Sequence, residues 1–251
     1  MNLLIIQARM GSTRLPGKIL KEINGKPILQ HLVERISPAK KVNKIIIATT
    51  TNTEDDATEN FCKEHRYNYY RGSDWDVLGR FYEAAQPHNP KTIIRVTADC
   101  PLHSHKVIDF AIDKYHSLNC DYFSNSNNEE ICLEDGFDTE VFSFSALEEA
   151  HINAKMLSER EHVTPYIKTS GNFTCKYEGY NKNYRFKLSV DSPDDFVAVS
   201  KIFEELKDKK DFGMEEVIEL LAQKPEILQL NKDSVSNAGY LKSLKEDKKI
   251  E

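Results

Sequence analysis

The sequence predicts an α/β fold in which parallel strands are joined by helical crossovers. Short β-branched runs, such as KIIIAT at 44–49 and TIIRVT at 92–97, are bounded by polar residues, which is typical of buried strands. Amphipathic stretches lie between these runs. Because strands and helices alternate, parallel pairing with right-handed crossovers is expected. A length of 251 residues suits one α/β domain or a domain with a small appendage.

The individual elements follow from periodicity and from capping signals. The apolar run 3–6 is predicted as the first strand, and it stops at a loop that contains glycine. Amphipathic stretches in the first half predict helices at 27–36, 53–65, 77–85 and 107–118. In the second half strands are predicted at 139–144 and 184–190, and helices at 196–206 and 214–222. One domain is expected over 1–241, with 121–185 as a protruding subregion and 242–251 as a charged, frayed tail.

Composition argues against several classes of protein. A net charge of −6 does not suit a protein that coats nucleic acid. The sequence has no run of about 18 apolar residues, so no transmembrane helix is expected, and its first residues lack the basic leader of a signal peptide. The five cysteines form no C-x-x-C pair, which favours reduced thiols in a cytoplasmic protein. They are Cys62, Cys100, Cys120, Cys132 and Cys175.

The loop after the first strand is the main candidate for binding polyphosphate. Ligands of doubly wound sheets bind beyond the carboxyl ends of the strands, where this loop, QARMGSTRLPGK at 7–18, is expected to lie. Its glycines allow backbone N–H groups to approach a phosphate. Arg9 and Arg14 offer planar forks, and Lys18 offers a point charge. The spacing matches neither a Walker A loop nor a dinucleotide fingerprint. A solvated basic loop, in which Pro16 and Gly17 only form turns, is the alternative.

Two aspartates that follow apolar, strand-like runs are candidate Mg²⁺ ligands. Asp99 follows IIRVTA, Asp191 follows LSV, and each precedes a turn that contains proline. If both runs end at the same edge of the sheet, the two carboxylates would share one ion with phosphate and water oxygens. Alternatively, each aspartate caps the turn or helix that follows it, a role that Ser192 could take in place of Asp191.

The order of residues in the first loop resembles the signature loop of the CMP-sugar synthetases, which include the 3-deoxy-manno-octulosonate and acylneuraminate cytidylyltransferases. Within this family, the sequence most resembles the branch of the spore-coat polysaccharide cytidylyltransferase-like proteins. The resemblance continues at 71–81 (RGSDWDVLGRF), 95–102 (RVTADCPL), 135–142 (DGFDTEVF), 158–164 (SEREHVT) and 188–196 (LSVDSPDDF). It implies a three-layer α/β/α, Rossmann-like nucleotidyltransferase fold around a mostly parallel, seven-stranded sheet, with a dimerisation arm in the second half.

The resemblance also implies a reaction and a set of site residues. The reaction is Mg²⁺-dependent transfer of CMP from CTP to a sugar or sugar acid, with release of pyrophosphate; Mn²⁺ could replace Mg²⁺, and a homodimer is implied. The nucleotide would be bound by Gln7, Ala8, Arg9, Gly11, Ser12, Arg14, Lys18, Arg80 and Asp99. The catalytic set would be Arg9, Arg14, Lys18, Asp99 and Asp191, with the two aspartates as metal ligands. The acceptor would be bound by Asp138, Glu140, Glu161, His162 and Arg185.

Structural roles are the alternatives for two of these motifs. Arg80 could lie on the solvent-exposed face of a helix whose N-terminus is capped by Ser73 or Asp74. Ser158 and Glu161 have the spacing of a capping box, so Glu161 could serve a helix rather than a sugar.

Other functions are compatible with parts of the sequence. Asp74 and Asp76 spell the D-x-D metal motif of many glycosyltransferases, although helix capping is the favoured interpretation of both. His103 and His105 form an H-x-H pair without an evident third ligand and are expected to be loop residues. The remaining rivals are a nucleotidylyltransferase that uses a sugar phosphate or another NTP, and an inactive homologue that only binds its ligands.

Overall fold

A computed structural model of the protein describes residues 1–126, 134–181, 185–209 and 211–250. The strands are β1 Asn2–Gln7, β2 Glu22–Ile23, β3 Lys26–Pro27, β4 Lys44–Thr50, β5 Tyr69–Gly72, β6 Thr92–Thr97, β7 Tyr122–Ser124, β8 Glu134–Asp135, β9 Glu140–Ser143, β10 Cys175–Tyr177 and β11 Phe186–Lys187. The α-helices are α1 Ile28–Ile36, α2 Asp56–His65, α3 Val77–Ala85, α4 His105–Ser117, α5 Phe144–Asn153, α6 Leu157–His162, α7 Pro165–Thr169, α8 Pro193–Glu205, α9 Met214–Gln223 and α10 Ala238–Lys245. Short 3-10 helices occupy Lys18–Leu20, Thr53–Asp55, Gln86–His88 and Pro225–Gln229.

The main sheet has seven strands in the order β10-β7-β9-β6-β1-β4-β5. The central strand β1 pairs in parallel with β4 and β6. Among the described strands of this sheet, only β9 runs against its neighbours, β6 and β7. The predicted α/β class with a mostly parallel, mixed sheet is therefore confirmed.

Helices cover both faces of this sheet because the side chains of β1 alternate between two apolar cores. On one face Leu4 and Ile6 pack with residues of α1, α2 and α4. On the other face Leu3 and Ile5 pack with residues of α3, α5 and α7. These two helical layers around the sheet form the three-layer α/β/α arrangement that the family resemblance implied.

A third apolar cluster lies beside the sheet and holds the chain before Asp191. Leu188 and Val190 are buried in it against α8 and α9. The preceding strand, β11, pairs with β8 in a separate two-stranded sheet, so the prediction that 188–190 end a strand of the main sheet is wrong. Their apolar side chains are buried in the third cluster instead. Tyr184, where this strand was predicted to begin, lies outside the described residues.

The segment 121–185 is more integrated than the expected protruding subregion. Three of its strands, β7, β9 and β10, belong to the main sheet. Tyr122, Phe123, Val141 and Phe142 are buried in the cores on its two faces, and this burial ties the segment to the rest of the domain.

The expectation of a frayed tail over 242–251 is also corrected. Helix α10 runs to Lys245, and the residues after it dock against the start of α6. The backbone N–H and the hydroxyl of Ser158 donate to the Asp247 carboxylate at 2.9 and 2.7 Å. Met156 and Lys249 form a β-bridge. Polar contacts therefore hold a segment that lacks an apolar face of its own, and Glu251 lies outside the described residues.

Cysteine and membrane features complete the description. Cys62, Cys100, Cys120 and Cys175 are free thiols, while Cys132 lies outside the described residues. In the described part of the chain, no helix combines the length and apolarity that crossing a membrane requires.

Candidate active site

A cleft of about 460 Å³ opens at the carboxyl ends of β1 and β6. This is where ligands bind in open α/β sheets. The predicted nucleotide residues Gln7, Arg9, Gly11, Ser12, Arg14, Lys18 and Asp99 all line it. Ala8 and Arg80 are not among the lining residues, because both are buried; the Ala8 N–H donates to the Ala48 carbonyl. A second cavity, of about 340 Å³, lies elsewhere between α1, β4 and residues 66–68 and has no carboxylate in its lining.

Backbone hydrogen bonds and a buried aspartate fix the conformation of the first loop. Gly17 has a φ of 68°, a left-handed conformation that glycine adopts without strain, and its N–H donates to the Met10 carbonyl at 3.0 Å. The Met10 N–H donates to Asp55 at 2.9 Å. At Gly11 a Cβ would lie only 2.7 Å from a Glu54 oxygen. The loop is therefore a built structure rather than only a solvated turn, and Asp55, which sequence reasoning missed, anchors it.

Lys18 joins the two predicted metal ligands. Its Nζ donates to Asp99 Oδ2 at 2.7 Å and to Asp191 Oδ1 at 2.9 Å. The two carboxylate oxygens are therefore much closer than the separation of about 10 Å beyond which carboxylates cannot share one ion. Asp191 reaches this position without a shared sheet, because the Val190 N–H donates to the Asp99 carbonyl at 2.8 Å. The predicted proximity is confirmed, although the predicted reason for it is not.

Opposite charges keep this cluster ionised despite its burial. Burial opposes ionisation of Asp99 and Asp191, but the Lys18 ammonium holds the pKa of both carboxyls below the usual range. Burial likewise opposes the charge on Lys18, but the two carboxylates raise its pKa. Further cations surround Asp191, with Lys187 Nζ at 3.0 Å and Arg14 Nη2 at 3.4 Å. Lys187 is a second residue that sequence reasoning missed.

The donor set at Asp99 and Asp191 fits a hard divalent cation. Mg²⁺ is commonly bound by one or two carboxylates together with phosphate oxygens and water. Two ionised carboxylate oxygens converge here on the position of the Lys18 ammonium. No group of three or more His, Cys, Asp or Glu side chains suited to a metal occurs within the described residues. An ion would therefore need oxygens from a substrate, and Lys18 would have to move aside.

Arg80 is buried rather than exposed to solvent, so the solvent-exposed alternative is wrong. Its side chain is fully buried, and Nη1 donates to the Ser73 carbonyl at 2.5 Å. Its Nε and Nη2 have no hydrogen-bond partner in the described residues. Burial and the nearby charge of Arg9 lower the pKa of Arg80 to about 10. A contact between Arg80 and a nucleotide stays a prediction.

The two aspartates of the D-x-D motif are engaged in structural contacts. Asp76 caps α3 by accepting the Gly79 N–H at 2.8 Å, and it also accepts two hydrogen bonds from Arg160. Asp74 pairs with Arg9 at 3.1 Å. The predicted capping role is confirmed for Asp76, whereas Asp74 serves the first loop. This arrangement does not support a metal site between them.

Two of the five predicted acceptor residues, Glu161 and His162, line the cleft. The Ser243 hydroxyl of α10 donates to Glu161 at 2.8 Å and lies 2.9 Å from His162 Nε2. Burial lowers the pKa of His162 to about 4, so its imidazole is neutral at pH 7. The capping-box alternative is wrong, because Glu159 accepts the Met156 N–H and so takes the place expected of Glu161.

The other three predicted acceptor residues lie outside the cleft lining. Glu140 is paired with Arg95, which in turn donates to Gln7 Oε1 at 2.9 Å, so Glu140 contributes to positioning a lining residue. Burial and the charge of Asp135 raise the pKa of Asp138 to about 7. Arg185 is exposed. A motif shows that polar residues cluster in sequence, but it does not show which of them face the cleft.

The H-x-H histidines are structural. His103 is buried, accepts the Ser104 N–H at 2.9 Å and lies 3.0 Å from the Thr139 hydroxyl. Its burial lowers its pKa to about 4. His105 is the first residue of α4. They are not aligned as a pair of metal ligands with any third residue in the part of the chain that is described.

The three-layer fold and the cleft, with its cationic loop and carboxylate pair, define a protein of the nucleotidyltransferase class. Solved structures share this fold. A cytidylyltransferase from Leptospira borgpetersenii superposes with a TM-score of 0.83 and 30% identity, covering 91% of this chain and 96% of that one. A CMP:2-keto-3-deoxy-manno-octonic acid synthetase in complex with CTP superposes with a TM-score of 0.59 and 17% identity, covering 81% and 98%. The second likeness concerns the fold alone.

The sequence profile of the cytidylyltransferases matches residues 3–242, and the chain belongs to this family. It is 39% identical over 234 residues to an uncharacterised protein of Methanocaldococcus jannaschii, covering 90% of this chain and 93% of the relative. It is 30% identical over 233 residues to the spore coat polysaccharide biosynthesis protein SpsF of Bacillus subtilis, covering 89% and 95%. It is 37% identical over 111 residues to the 3-deoxy-manno-octulosonate cytidylyltransferase of Pelobacter propionicus, covering 43% and 42%. The predicted class of enzyme, a nucleotidylyltransferase of the cytidylyltransferase type, is confirmed.

Proposed function

We propose that the protein transfers CMP from CTP to a hydroxyl group of a sugar or sugar acid and releases pyrophosphate. The observation that carries this proposal is that the cationic loop and the Asp99–Asp191 pair line the same cleft. Phosphoryl-transfer catalysis depends mostly on positioning and electrostatic stabilisation, and this arrangement supplies both. Relatives whose names refer to 3-deoxy-manno-octulosonate and to spore-coat polysaccharide support a sugar as the acceptor.

The residues of the cleft divide the chemistry between them. The acceptor oxygen attacks the α-phosphorus of CTP, the bond to the β-phosphate breaks, and pyrophosphate departs in line with the attack. Arg14 and Lys18 stabilise the charge that develops on the pyrophosphate, and Arg9 helps to position it. Asp99 and Asp191 would hold Mg²⁺, which neutralises phosphate charge when it is bound. No covalent enzyme intermediate is needed.

The proposed nucleotide is CTP, with less use of UTP and little use of purine nucleotides. Membership of the cytidylyltransferase family supports a cytidine nucleotide. A short loop that recognises the base through its backbone also suits the small edge of a pyrimidine. The test measures pyrophosphate release from CTP, UTP, ATP and GTP with a set of sugars, sugar acids and sugar phosphates. Equal turnover with a purine nucleotide would contradict the proposed specificity. Pyrophosphate release with a sugar phosphate alone would assign the protein to another class of acceptor.

The metal is tested separately. EDTA should abolish turnover, and Mg²⁺ or Mn²⁺ should restore it. Asp99→Asn and Asp191→Asn should each remove most activity, measured well below the Tm of each variant, because each also removes one carboxylate partner of the buried Lys18 ammonium and should lower thermal stability. Asp194→Asn is the control, since this carboxylate is exposed on α8 and does not line the cleft. Full activity in EDTA, or in both asparagine variants, would refute the metal assignment.

A further inference from the structure

The lining of the cleft includes a part of the chain to which the proposed function gives no role. Ala238, Gly239 and Lys242, all from α10, line the cleft together with Glu161 and His162 of α6. Since the first loop and the two aspartates supply the groups that suit a triphosphate and its metal, a second substrate must occupy the remaining side. Helix α10 is placed to contact that substrate.

Several contacts fix α10 in this position. Ser243 hydrogen-bonds with Glu161 and lies within hydrogen-bonding distance of His162. The Tyr240 ring packs edge-on against His162, with 4.9 Å between the ring centroids. The Asp247 carboxylate then accepts two hydrogen bonds from Ser158. A helix with no buried residue of its own is thus held by polar and aromatic contacts.

The cations of the cleft differ in whether they already have partners. Arg9 pairs with Asp74, while Arg14 and Lys18 pair with the Asp99–Asp191 cluster. Lys242 is exposed, and no carboxylate of the described residues lies within 4.0 Å of its ammonium. It is therefore a cation on the acceptor side that can pair with a ligand without first breaking an ion pair.

We propose that α10 forms the acceptor-binding wall and that Lys242 selects an acidic acceptor by pairing with its carboxylate. This inference rests on the proposed function and deepens it. Lys242 takes the place of Arg185, which lies outside the cleft, as the partner of the acceptor carboxylate. Gly239 provides space beside Lys242, because a Cβ at this position would have no neighbour within 4 Å.

The first experiment measures discrimination between an acid and its neutral analogue. The acceptor probes are 3-deoxy-manno-octulosonate and N-acetylneuraminate, each compared with its carboxamide in pyrophosphate release from CTP. For Lys242→Met we expect the KM of the acid to rise about 10- to 100-fold, the scale of a lost charge-assisted hydrogen bond. The KM of CTP should change less than about twofold, and the preference for the acid over its carboxamide should disappear. The control, Lys245→Met, removes a charge from the same helix outside the cleft lining.

The second experiment separates folding from acceptor binding. For Gly239→Leu we expect an unchanged or higher Tm, since leucine is the better helix former by roughly 1 kcal/mol. Acceptor turnover should fall at least about tenfold because the new side chain occupies the space for the sugar. A loss of activity with retained stability supports the inference, whereas full activity of this variant would overturn it.

The outcomes distinguish this inference from the proposed function. If the wild-type protein releases no pyrophosphate from CTP with any sugar, sugar acid or sugar phosphate, the proposed function itself fails. If it turns over acid and carboxamide equally, or if Lys242→Met keeps the preference for the acid, only the inference about Lys242 is overturned. If the KM of CTP rises in Lys242→Met as much as that of the acid, the lysine binds the nucleotide instead, and the inference is likewise overturned.

Discussion

Lys18 lies where two carboxylates would otherwise repel each other, and this position makes it a sensitive probe of the metal site. In Lys18→Met the pair Asp99 and Asp191 should bind Mg²⁺ without competition from an ammonium group. We expect saturating Mg²⁺ to raise the Tm of Lys18→Met by roughly 5–10 °C, which corresponds to ligand at about 100 times its dissociation constant. The wild-type protein should shift much less. Thermal unfolding with and without Mg²⁺ measures this.

A suitable control for the metal experiment is Lys26→Met, which removes a lysine from an exposed pair with Glu34. Its response to Mg²⁺ should equal that of the wild-type protein. Equal Mg²⁺ shifts in the wild-type protein and in Lys18→Met would mean that the aspartates do not form a divalent cation site.

Arg14 tests the role of the first loop in catalysis. Its side chain lines the cleft and is 44% exposed, so it has little structural duty. We expect Arg14→Ala to lower kcat/KM by roughly 10²–10³, the scale of a lost transition-state charge partner. Arg14→Lys should also be impaired, because an ammonium lacks the bidentate fork. Steady-state kinetics measure both, with Arg185→Ala as a control expected to retain activity. Near-normal rates in Arg14→Ala would show that this part of the loop has only a structural role.

Glu140 links one buried ion pair to the pH dependence of stability. Burial opposes its ionisation, but Arg95 and its other partners lower its pKa from 4.5 to about 2. The folded-state pKa lies below the unfolded value, so the stabilisation is present above about pH 4.5 and is lost as the pH falls towards 2. We expect Glu140→Gln to be less stable by roughly 3 kcal/mol at pH 7. Urea unfolding should show this difference shrinking between pH 5 and 3, and a constant difference would contradict the assignment.

At the residue scale, the sequence located the cationic loop and the aspartate pair but misplaced several other polar residues. Arg14, Lys18, Asp99 and Asp191 were identified because glycine spacing and strand ends carry a physical meaning that can be read from one chain. Glu140 was assigned to the acceptor, yet it is paired with Arg95. Partners that are distant in sequence decide whether a polar side chain faces a ligand or the interior.

At the element scale, elements with a continuous apolar pattern were predicted well, whereas the short buried strand β7 and the helix α5 were missed. Strand β6 has the predicted bounds, and α3 likewise, because their apolar patterns are continuous. The run 188–190 was predicted to end a strand of the main sheet, but Leu188 and Val190 are buried in the cluster beside it, since an apolar pattern does not name its packing partner. Helix α10 has no buried residue, so it lacks the pattern that would have predicted it.

The docking of α10 can be tested through the residues that follow it. In Asp247→Ala the two hydrogen bonds from Ser158 are lost, so the helix should open more often. We expect amide hydrogen exchange of residues 238–245 to become at least about tenfold faster, an effect that one or two lost hydrogen bonds can produce. Exchange in β1 should be unchanged. If residues 238–245 exchange at the wild-type rate, the contacts of Tyr240 and Ser243 hold the helix without Asp247.

At the scale of the whole molecule, one apolar cluster beside the sheet supports half of the carboxylate pair. Ile202 of α8 is fully buried in the cluster that also holds Val190, directly before Asp191. We expect Ile202→Ala to lower the free energy of unfolding by roughly 2–5 kcal/mol, the usual effect of deleting a large aliphatic side chain from a core. Denaturant unfolding measures this.

The matched control for this core is Val197→Ala on the same helix, since Val197 is 51% exposed. It should change the free energy of unfolding by less than about 0.5 kcal/mol. Similar effects of the two substitutions would show that the cluster beside the sheet contributes little to the stability of the domain.

The contact of Lys18 with both aspartates has a consequence for the order in which ligands bind. One ammonium group cannot fully neutralise the two carboxylates and also bind phosphate oxygens. Binding of a nucleotide and binding of a cation therefore favour each other. The coupling is reciprocal: any factor by which CTP raises the affinity for Mg²⁺ is the factor by which Mg²⁺ raises the affinity for CTP. The free enzyme thus carries an internal counterion for its acidic pair, and loading the cleft exchanges that counterion for an external one.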